Sequence, residues 1–253
     1  MTEHPKTATA LITGAGAGIG RAAALRLAAD GYRVVAADIR PEMCEATAAK
    51  IGDAGGACLA ITADISRGDH IARMVKEAAA FLGGIDILVN NAGVGSIGFM
   101  EQITDEEIHR VFGVNLVGVI CTTRAAVPYL KKSARGRIIN ISSVEGIRGS
   151  GLLATYCSTK AGVIGLTRSN AIELGRFGVT VNAICPGPIQ TDMLAPLIAD
   201  EKARTKFIKG IAMRRLGVPE DVSHAISFLA SEGASFISGH VLVIDGGMTA
   251  KSL

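Results

Sequence analysis

Tryptophan is absent and aromatic residues supply only 4% of the chain, which excludes a core built on large rings. No run of five like charges occurs, and a net charge of +3 is small and dispersed, so no nucleic-acid partner is expected. Long hydrophobic runs are missing too. The longest, such as "VNLVGVICTT" (Val114–Thr123), stops well short of the roughly 18 residues of a membrane span, so no membrane partner is expected. The N-terminus has no leader pattern: Glu3 precedes Lys6, and glycines soon interrupt the short apolar part, so a cytoplasmic protein is expected. Cysteine is scarce. Cys44, Cys58, Cys121, Cys157 and Cys185 are odd in number and never spaced as CxxC, which reads as free thiols in a reducing compartment. The histidines lie far apart without an HExxH, so no metal site is expected. No Pro/Ser-rich linker and no internal repeat divides residues 1–253, which favours one domain over two.

What is present is a hydrophobic fraction of 49% against 19% charged residues, a globular balance with Ala and Gly suited to close helix-on-sheet packing. Short Val/Ile-rich runs alternate with helical patterns. "TALIT" leads to a helix near Ile19–Asp30, "RVVAAD" to one opened by Pro41, and "ACLAIT" to one near Arg67–Phe81. "DILVNN" precedes a long helix near Thr104, where Thr104 and Glu107 have capping-box spacing. "RIINIS" leads to a helix around Tyr156–Leu174, and "VTVNAI" to a long polar segment from Gln190 to Arg215. Pro219 then opens a helix through Leu229, and "HVLVID" closes the series. Continuous apolar strands alternating with helices predict a parallel sheet covered on both faces.

The stretch "ALITGAGAGIGRAAALRLAADG" places Gly14, Gly16, Gly18 and Gly20 between a strand and a helix. Glycine in quantity costs folding entropy. A plain Gly-rich turn is one reading; the other is a backbone that approaches a pyrophosphate at a helix N-terminus. The strict GxGxxG is not met, and the spacing is Gly14-x-x-x-Gly18-x-Gly20. Asp38 ends the next strand twenty residues past Gly18, where a dinucleotide-binding unit places the acid that holds the adenosine ribose. A cap or surface Asp is the alternative for that residue alone; the two features together favour a dinucleotide. A 2′-phosphate beside this carboxylate would meet repulsion of about 4 kcal/mol at 4 Å in a surface-like dielectric, so NAD is expected over NADP. Arg40 could soften that repulsion, although a solvated arginine at a helix start is the plainer reading.

In "TYCSTKAG", Tyr156 and Lys160 lie four apart and so share one helix face. Tyrosine is a poor base at its free pKa of about 10, and a nearby ammonium favours the phenolate. An ordinary amphipathic helix carries such pairs as well. The order of motifs is what makes the pattern specific: Thr13-Gly14-x-x-x-Gly18-x-Gly20, "NNAG" at Asn90–Gly93, Asn115, "ISS" at Ile141–Ser143, Tyr156-x-x-x-Lys160, "PGPIQT" at Pro186–Thr191 and "SGHVLVIDGG". Across essentially its whole length the chain resembles the short-chain dehydrogenase/reductase family.

That resemblance implies a single α/β Rossmann domain, with a doubly wound seven-stranded parallel sheet in the order 3-2-1-4-5-6-7, and a homotetramer. It implies Tyr156 as general acid/base, Ser143 as hydrogen-bond partner of the substrate oxygen, and Ser142 as its packed neighbour. Lys160 would bind the nicotinamide ribose and depress the Tyr156 pKa, and Asn115 would hold a water linking Lys160 to solvent. Ile19 would lie in the phosphate loop with Gly14, Gly18 and Gly20. Asp64 and Ile65 would cradle adenine; Asn91, Ala92 and Gly93 would pack beside the cofactor. Pro186, Gly187, Ile189 and Thr191 would hold the carboxamide.

Substrate specificity is expected beyond the carboxyl ends of the strands. Ile147, Leu152, Leu153, Met193 and Leu194 are the apolar candidates, and Ser96, Glu145 and Arg148 the polar ones. Arg148 could clamp a substrate carboxylate; solvation, or pairing with Glu145, is the plainer reading. Residues 190–215 resemble the family's substrate lid and carry Lys202, Arg204, Lys206, Lys209, Arg214 and Arg215, a solvated face before it is an acid-attracting one. Three readings follow: an NAD-dependent dehydrogenase of a hydrophobic secondary alcohol, cyclic ones included; a 3-oxoacyl thioester reductase, against which Asp38 counts; and a dinucleotide-sensing module, against which the Ser143/Tyr156/Lys160 set counts.

Overall fold

The computed structural model describes residues 7–250, so the N-terminal reading that rested on Glu3 lies outside them. Seven strands form one sheet: β1 (Thr9–Thr13), β2 (Arg33–Asp38), β3 (Cys58–Thr62), β4 (Ile87–Asn90), β5 (Arg137–Ile141), β6 (Thr180–Pro186) and β7 (Val241–Ile244). All neighbours are parallel, in the order β3-β2-β1-β4-β5-β6-β7. The order reverses between β1 and β4, and in an open α/β sheet that is where a crevice opens beyond the carboxyl ends.

The strands read as continuous apolar runs because both faces are covered. Along β1, Ala10 and Ile12 pack with Leu27 of α1 (Gly18–Ala29) and Ile226 of α8 (Pro219–Ala230). Leu11 points the other way, toward Met74 of α3 (Gly68–Leu82) and Leu130 of α5 (Gly118–Leu130). A period of two on one strand thus feeds two separate cores. The remaining helices are α2 (Pro41–Asp53), α4 (Asp105–Phe112), α6 (Ala154–Gly175) and α7 (Glu201–Gly210).

The long helix expected from Thr104 is interrupted. Thr104 caps α4 by accepting from the Glu107 N–H at 3.3 Å, but the return half of the box gives way to an ion pair between Glu107 and Arg110 at 2.7 Å. Between α4 and α5, Gly113–Val117 widen into a π-turn. There α5 starts so close to the chain after β3 that a Cβ on Gly118 would stand 2.6 Å from the Ile65 carbonyl. By length and hydropathy alone Asp105–Leu130 could cross a membrane. Here α5 lies against α3, β4 and β5. The polar segment after β6 contains a short turn, Ala195–Ile198, and α7, whose N-terminus is capped by Asp200 accepting from Lys202 and Ala203.

Candidate active site

A cavity of about 610 Å³ opens at the carboxyl ends of the strands. Its floor is the turn between β1 and α1, where Gly14 and Gly18 adopt φ of +64° and +50°, a region that side chains disfavour. No side chain caps α1, so its first N–H groups and the positive end of its dipole remain for an anion. Gly20 has another job. It does not line the cavity, and a Cβ there would stand 2.0 Å from the Gly14 carbonyl oxygen, so this glycine lets the helix pack against its own entry turn. The Asn91 amide ties the turn to the end of β4, donating to the carbonyls of Thr13 and Gly14 at 2.9 and 3.0 Å. Thr191 crosses the same turn from the other side, its methyl 3.0 Å from where a Gly18 Cβ would be.

Asp38 ends β2 at the cavity edge, only 7% exposed. One oxygen accepts from the Gly16 N–H at 2.8 Å, the other from the Arg40 N–H at 3.1 Å. The Arg40 guanidinium stands 3.5 Å from the same carboxylate with its side chain 47% exposed, so it is not simply solvated and partly balances the acid. Asp64 and Ile65 follow β3 and line the cavity, as do Ile19, Ala92, Gly93, Pro186, Gly187 and Ile189. The Asp64 carboxylate is turned onto Ser66, accepting its N–H and hydroxyl at 2.9 and 2.7 Å. An uncapped helix, a glycine floor and an acid at the cavity edge are a lining that a dinucleotide fits.

At the other end stand Ser143, Tyr156 and Lys160. Tyr156 and Lys160 occupy successive turns of α6, with the Lys160 Nζ 5.6 Å from the tyrosine ring and donating to the Ile141 carbonyl at 2.9 Å. Burial pushes the Tyr156 phenol up to about 12; the Ser143 hydroxyl beside it works the other way, and the Glu145 charge adds to burial. Burial pulls Lys160 down to about 8. The lowering of Tyr156 expected from Lys160 is therefore not present in the protein alone, because desolvation penalises both charges. Ser142 is the packed neighbour expected, its hydroxyl donating to the Lys160 carbonyl at 2.8 Å.

Asn115 sits in the π-turn, fully buried, accepting from the Val94 N–H at 2.8 Å and donating to the Val94 carbonyl at 2.9 Å and to Thr159 Oγ1 at 3.3 Å. It thus clamps the segment after β4. A Cβ on Gly93 would lie 3.3 Å from Asn115 Oδ1 and 3.5 Å from Lys160 Nζ, so the two side chains flank one backbone position.

The apolar expectations divide. Leu153, Met193 and Leu194 line the cavity, whereas Ile147 and Leu152, 51% and 43% exposed, do not. Leu152 adopts φ +67°, and its carbonyl accepts from the Gly98 N–H at 2.9 Å, so the loop is turned by backbone pairing and not by burial of the leucine. Ser96 lines the cavity from the segment after β4. Arg148 pairs with Glu145 at 2.9 Å and reaches the Met248 sulfur at 3.9 Å. Of the basic residues in 190–215, Arg204 meets Glu201 at 3.8 Å and Arg215 meets Asp221 at 2.7 Å. Phe207 and Met248 line the cavity without having been expected there. Phe207 had a signal, an apolar pair with Ile208 inside the otherwise polar "EKARTKFIKG". Met248 follows two left-handed glycines, Gly246 and Gly247, and had none.

Comparison with known proteins agrees with this geometry. A family model described as enoyl-(acyl carrier protein) reductase matches residues 14–249. A 3-oxoacyl-(acyl-carrier-protein) reductase FabG of Staphylococcus epidermidis is 38% identical over 241 residues, covering 95% of this chain and 98% of that protein. A meso-2,3-butanediol dehydrogenase of Serratia marcescens is 40% identical over 243 residues, covering 95% and 94%. The crystal structure of a levodione reductase superimposes with a TM-score of 0.93 at 35% identity, covering 98% of this chain and all of that one. With full-length relatives, the same sheet order and the Ser143, Tyr156 and Lys160 side chains gathered at a dinucleotide-shaped cavity, the chain belongs to the short-chain dehydrogenase/reductase family.

Proposed function

We propose that the protein is an NAD(H)-dependent oxidoreductase that interconverts a hydrophobic secondary alcohol, cyclic ones included, and its ketone. The observation that carries this reading is that the Tyr156–Ser143 pair opens onto the same cavity as the glycine floor and Asp38. NAD bound along that cavity supplies the hydride acceptor, or in its reduced form the donor. Ser143 orients the substrate oxygen, and Tyr156 takes its proton as the phenolate during oxidation and gives it back as the phenol during reduction. Lys160 stabilises that phenolate, the base of the oxidation and the product of the reduction, Asn115 holds the wall behind Lys160, and Leu153, Met193 and Leu194 exclude water from the reacting carbon.

Initial rates with NAD⁺ and NADP⁺ on linear and cyclic secondary alcohols, hydroxy acids and a 3-hydroxyacyl thioester test the reading. NAD⁺-dependent turnover of an apolar alcohol is the expected result. The Asp38→Ser variant is expected to lose most of its preference, its NADP⁺/NAD⁺ ratio of kcat/KM rising about a hundredfold, with Arg40 released to face a phosphate. An unchanged ratio would remove Asp38 as the discriminator.

The Glu145 charge raises the Tyr156 pKa, so removing it lowers that pKa. Glu145→Gln is expected to move the acidic limb of the oxidation profile to lower pH, read from kcat/KM against pH. A limb that stays put or moves up would separate the titration from Tyr156.

A second reading, reduction of a 3-oxoacyl thioester with NADPH, is favoured by the family description and the FabG relative. Thioester activity with NADP(H) preferred would promote it. A homotetramer belongs to the proposal, with exposed Ile172 and Phe236 as apolar surface available for contacts, and light scattering measures the mass.

A further inference from the structure

We propose that Glu145 is a substrate-recognition residue: its carboxylate accepts a hydrogen bond from a second hydroxyl beside the reacting carbinol, so the substrate is a neutral, apolar-bodied diol or the matching hydroxyketone. This deepens the alcohol–ketone reading and rests on it.

The carboxylate is asymmetric. Oε1 receives the Arg148 guanidinium at 2.9 Å, while Oε2 is buried and has no hydrogen-bond partner among the described residues. An ionised carboxylate only accepts, and a buried acceptor without a donor is a rare and costly arrangement in a folded protein. Glu145 lines the cavity, so a bound molecule can bring the missing donor. Ser143 Oγ accepts from the Glu145 N–H at 3.1 Å, and the Glu145 charge acts on the Tyr156 phenol, so Glu145 belongs to the end of the cavity that holds Ser143 and Tyr156. A second hydroxyl on the substrate is a neutral group that can donate there.

Charge narrows the choice. A carboxylate substrate would meet Glu145 itself, and the guanidinium that could have received it is already engaged. An ammonium is disfavoured because Arg148 balances the Glu145 charge. A neutral hydroxyl keeps the ion pair whole and gives Oε2 its donor. If Glu145 served only as a tie through Arg148 to Met248, its loss would affect every substrate alike.

The test compares kcat/KM for matched pairs, 1,2-cyclohexanediol against cyclohexanol and 2,3-butanediol against 2-butanol, in the wild type, Glu145→Gln and Glu145→Ala. The diol-to-monool ratio is the readout, since both members of a pair use the same Tyr156 and any change in its ionisation cancels. The wild type is expected to favour the diols about tenfold to a hundredfold, and Glu145→Ala to bring the ratio close to one, with Gln between them. A ratio equal in all three proteins, or an amino alcohol preferred over the diol, overturns the proposal. Should no alcohol turn over with either cofactor, the dehydrogenase reading falls, and calorimetric titration of the diols into the three proteins decides the role of Glu145. Diol binding lost in Glu145→Ala supports it; no binding, or equal binding, overturns it.

Discussion

Replacing Tyr156 by Phe is expected to lower kcat about a thousandfold, with the dissociation constant for NADH changed less than tenfold. The substitution removes one oxygen and keeps the ring against α6, so the cavity retains its shape. What goes is the group that exchanges a proton with the substrate oxygen, and positioned acid–base groups contribute on the order of 10²–10⁴ in rate. Ser143 remains but cannot stand in, because its hydroxyl already accepts from Glu145 and has no base behind it. The cost in stability is small, because the change removes one partly buried hydroxyl and leaves the ring in place. The thermal midpoint should therefore stay within a few degrees, which separates a chemical defect from a folding one. Stopped-flow absorbance at the reduced-nicotinamide band measures the hydride step, and NADH fluorescence the binding. A loss of less than tenfold would remove Tyr156 as the acid/base, and an inactive wild type that still binds NADH tightly would return the sensing-module reading.

The elements that position this site were legible because their signals are local. β1 and β2 read as continuous Val, Ile and Ala runs since both faces are buried, and Pro41 and Pro219 mark helix starts because proline costs nothing in a first turn. Asp38 could be placed from the strand end together with the glycine spacing before it, and the Tyr156/Lys160 pair from the helix period together with the order of motifs around it. The misses lie where backbone and tertiary contacts decide. A leucine at φ +67° is not foreseeable from composition, so Leu152 could not be known to leave the pocket. The π-turn that buries Asn115 has no period of its own. Gly20 looks like its neighbours in the sequence, and only the 2.0 Å approach to the Gly14 carbonyl distinguishes a packing glycine from a cradle glycine. Met248 reaches the cavity from the end of the described chain, a contact between distant segments that no short pattern records.

Lys160→Met is expected to abolish measurable turnover and yet raise the thermal midpoint, by about 4–8 °C at pH 7. The ammonium is 4% exposed and bonded to the Ile141 carbonyl, and among the described residues no carboxylate pairs with it. Its pKa, pulled from 10.5 to about 8, states the cost of holding the charge in that place. A gap of this size corresponds to about 3 kcal/mol. Methionine has nearly the same length and no charge to desolvate; it gives up one hydrogen bond of about 1 kcal/mol. The net gain, converted at roughly 2–4 °C per kcal/mol for a chain of this size, gives the shift stated.

The sign with pH follows from proton binding. Below about pH 8 both the folded and unfolded protein hold the proton, and the wild type carries the full penalty. Between about 8 and 10.5 the unfolded chain binds a proton that the folded one releases, so wild-type stability rises with pH relative to the variant. The difference in midpoint between the two proteins should therefore be largest at neutral and acid pH and shrink toward pH 10. Scanning calorimetry of both proteins from pH 6 to pH 10 reads this directly. A midpoint lowered by the substitution, or a difference independent of pH, would mean that Lys160 supports the fold as well as the chemistry. A stabilised, inactive variant would instead identify the buried cation as strain that the protein retains for the reaction, since no packing role would remain to explain it.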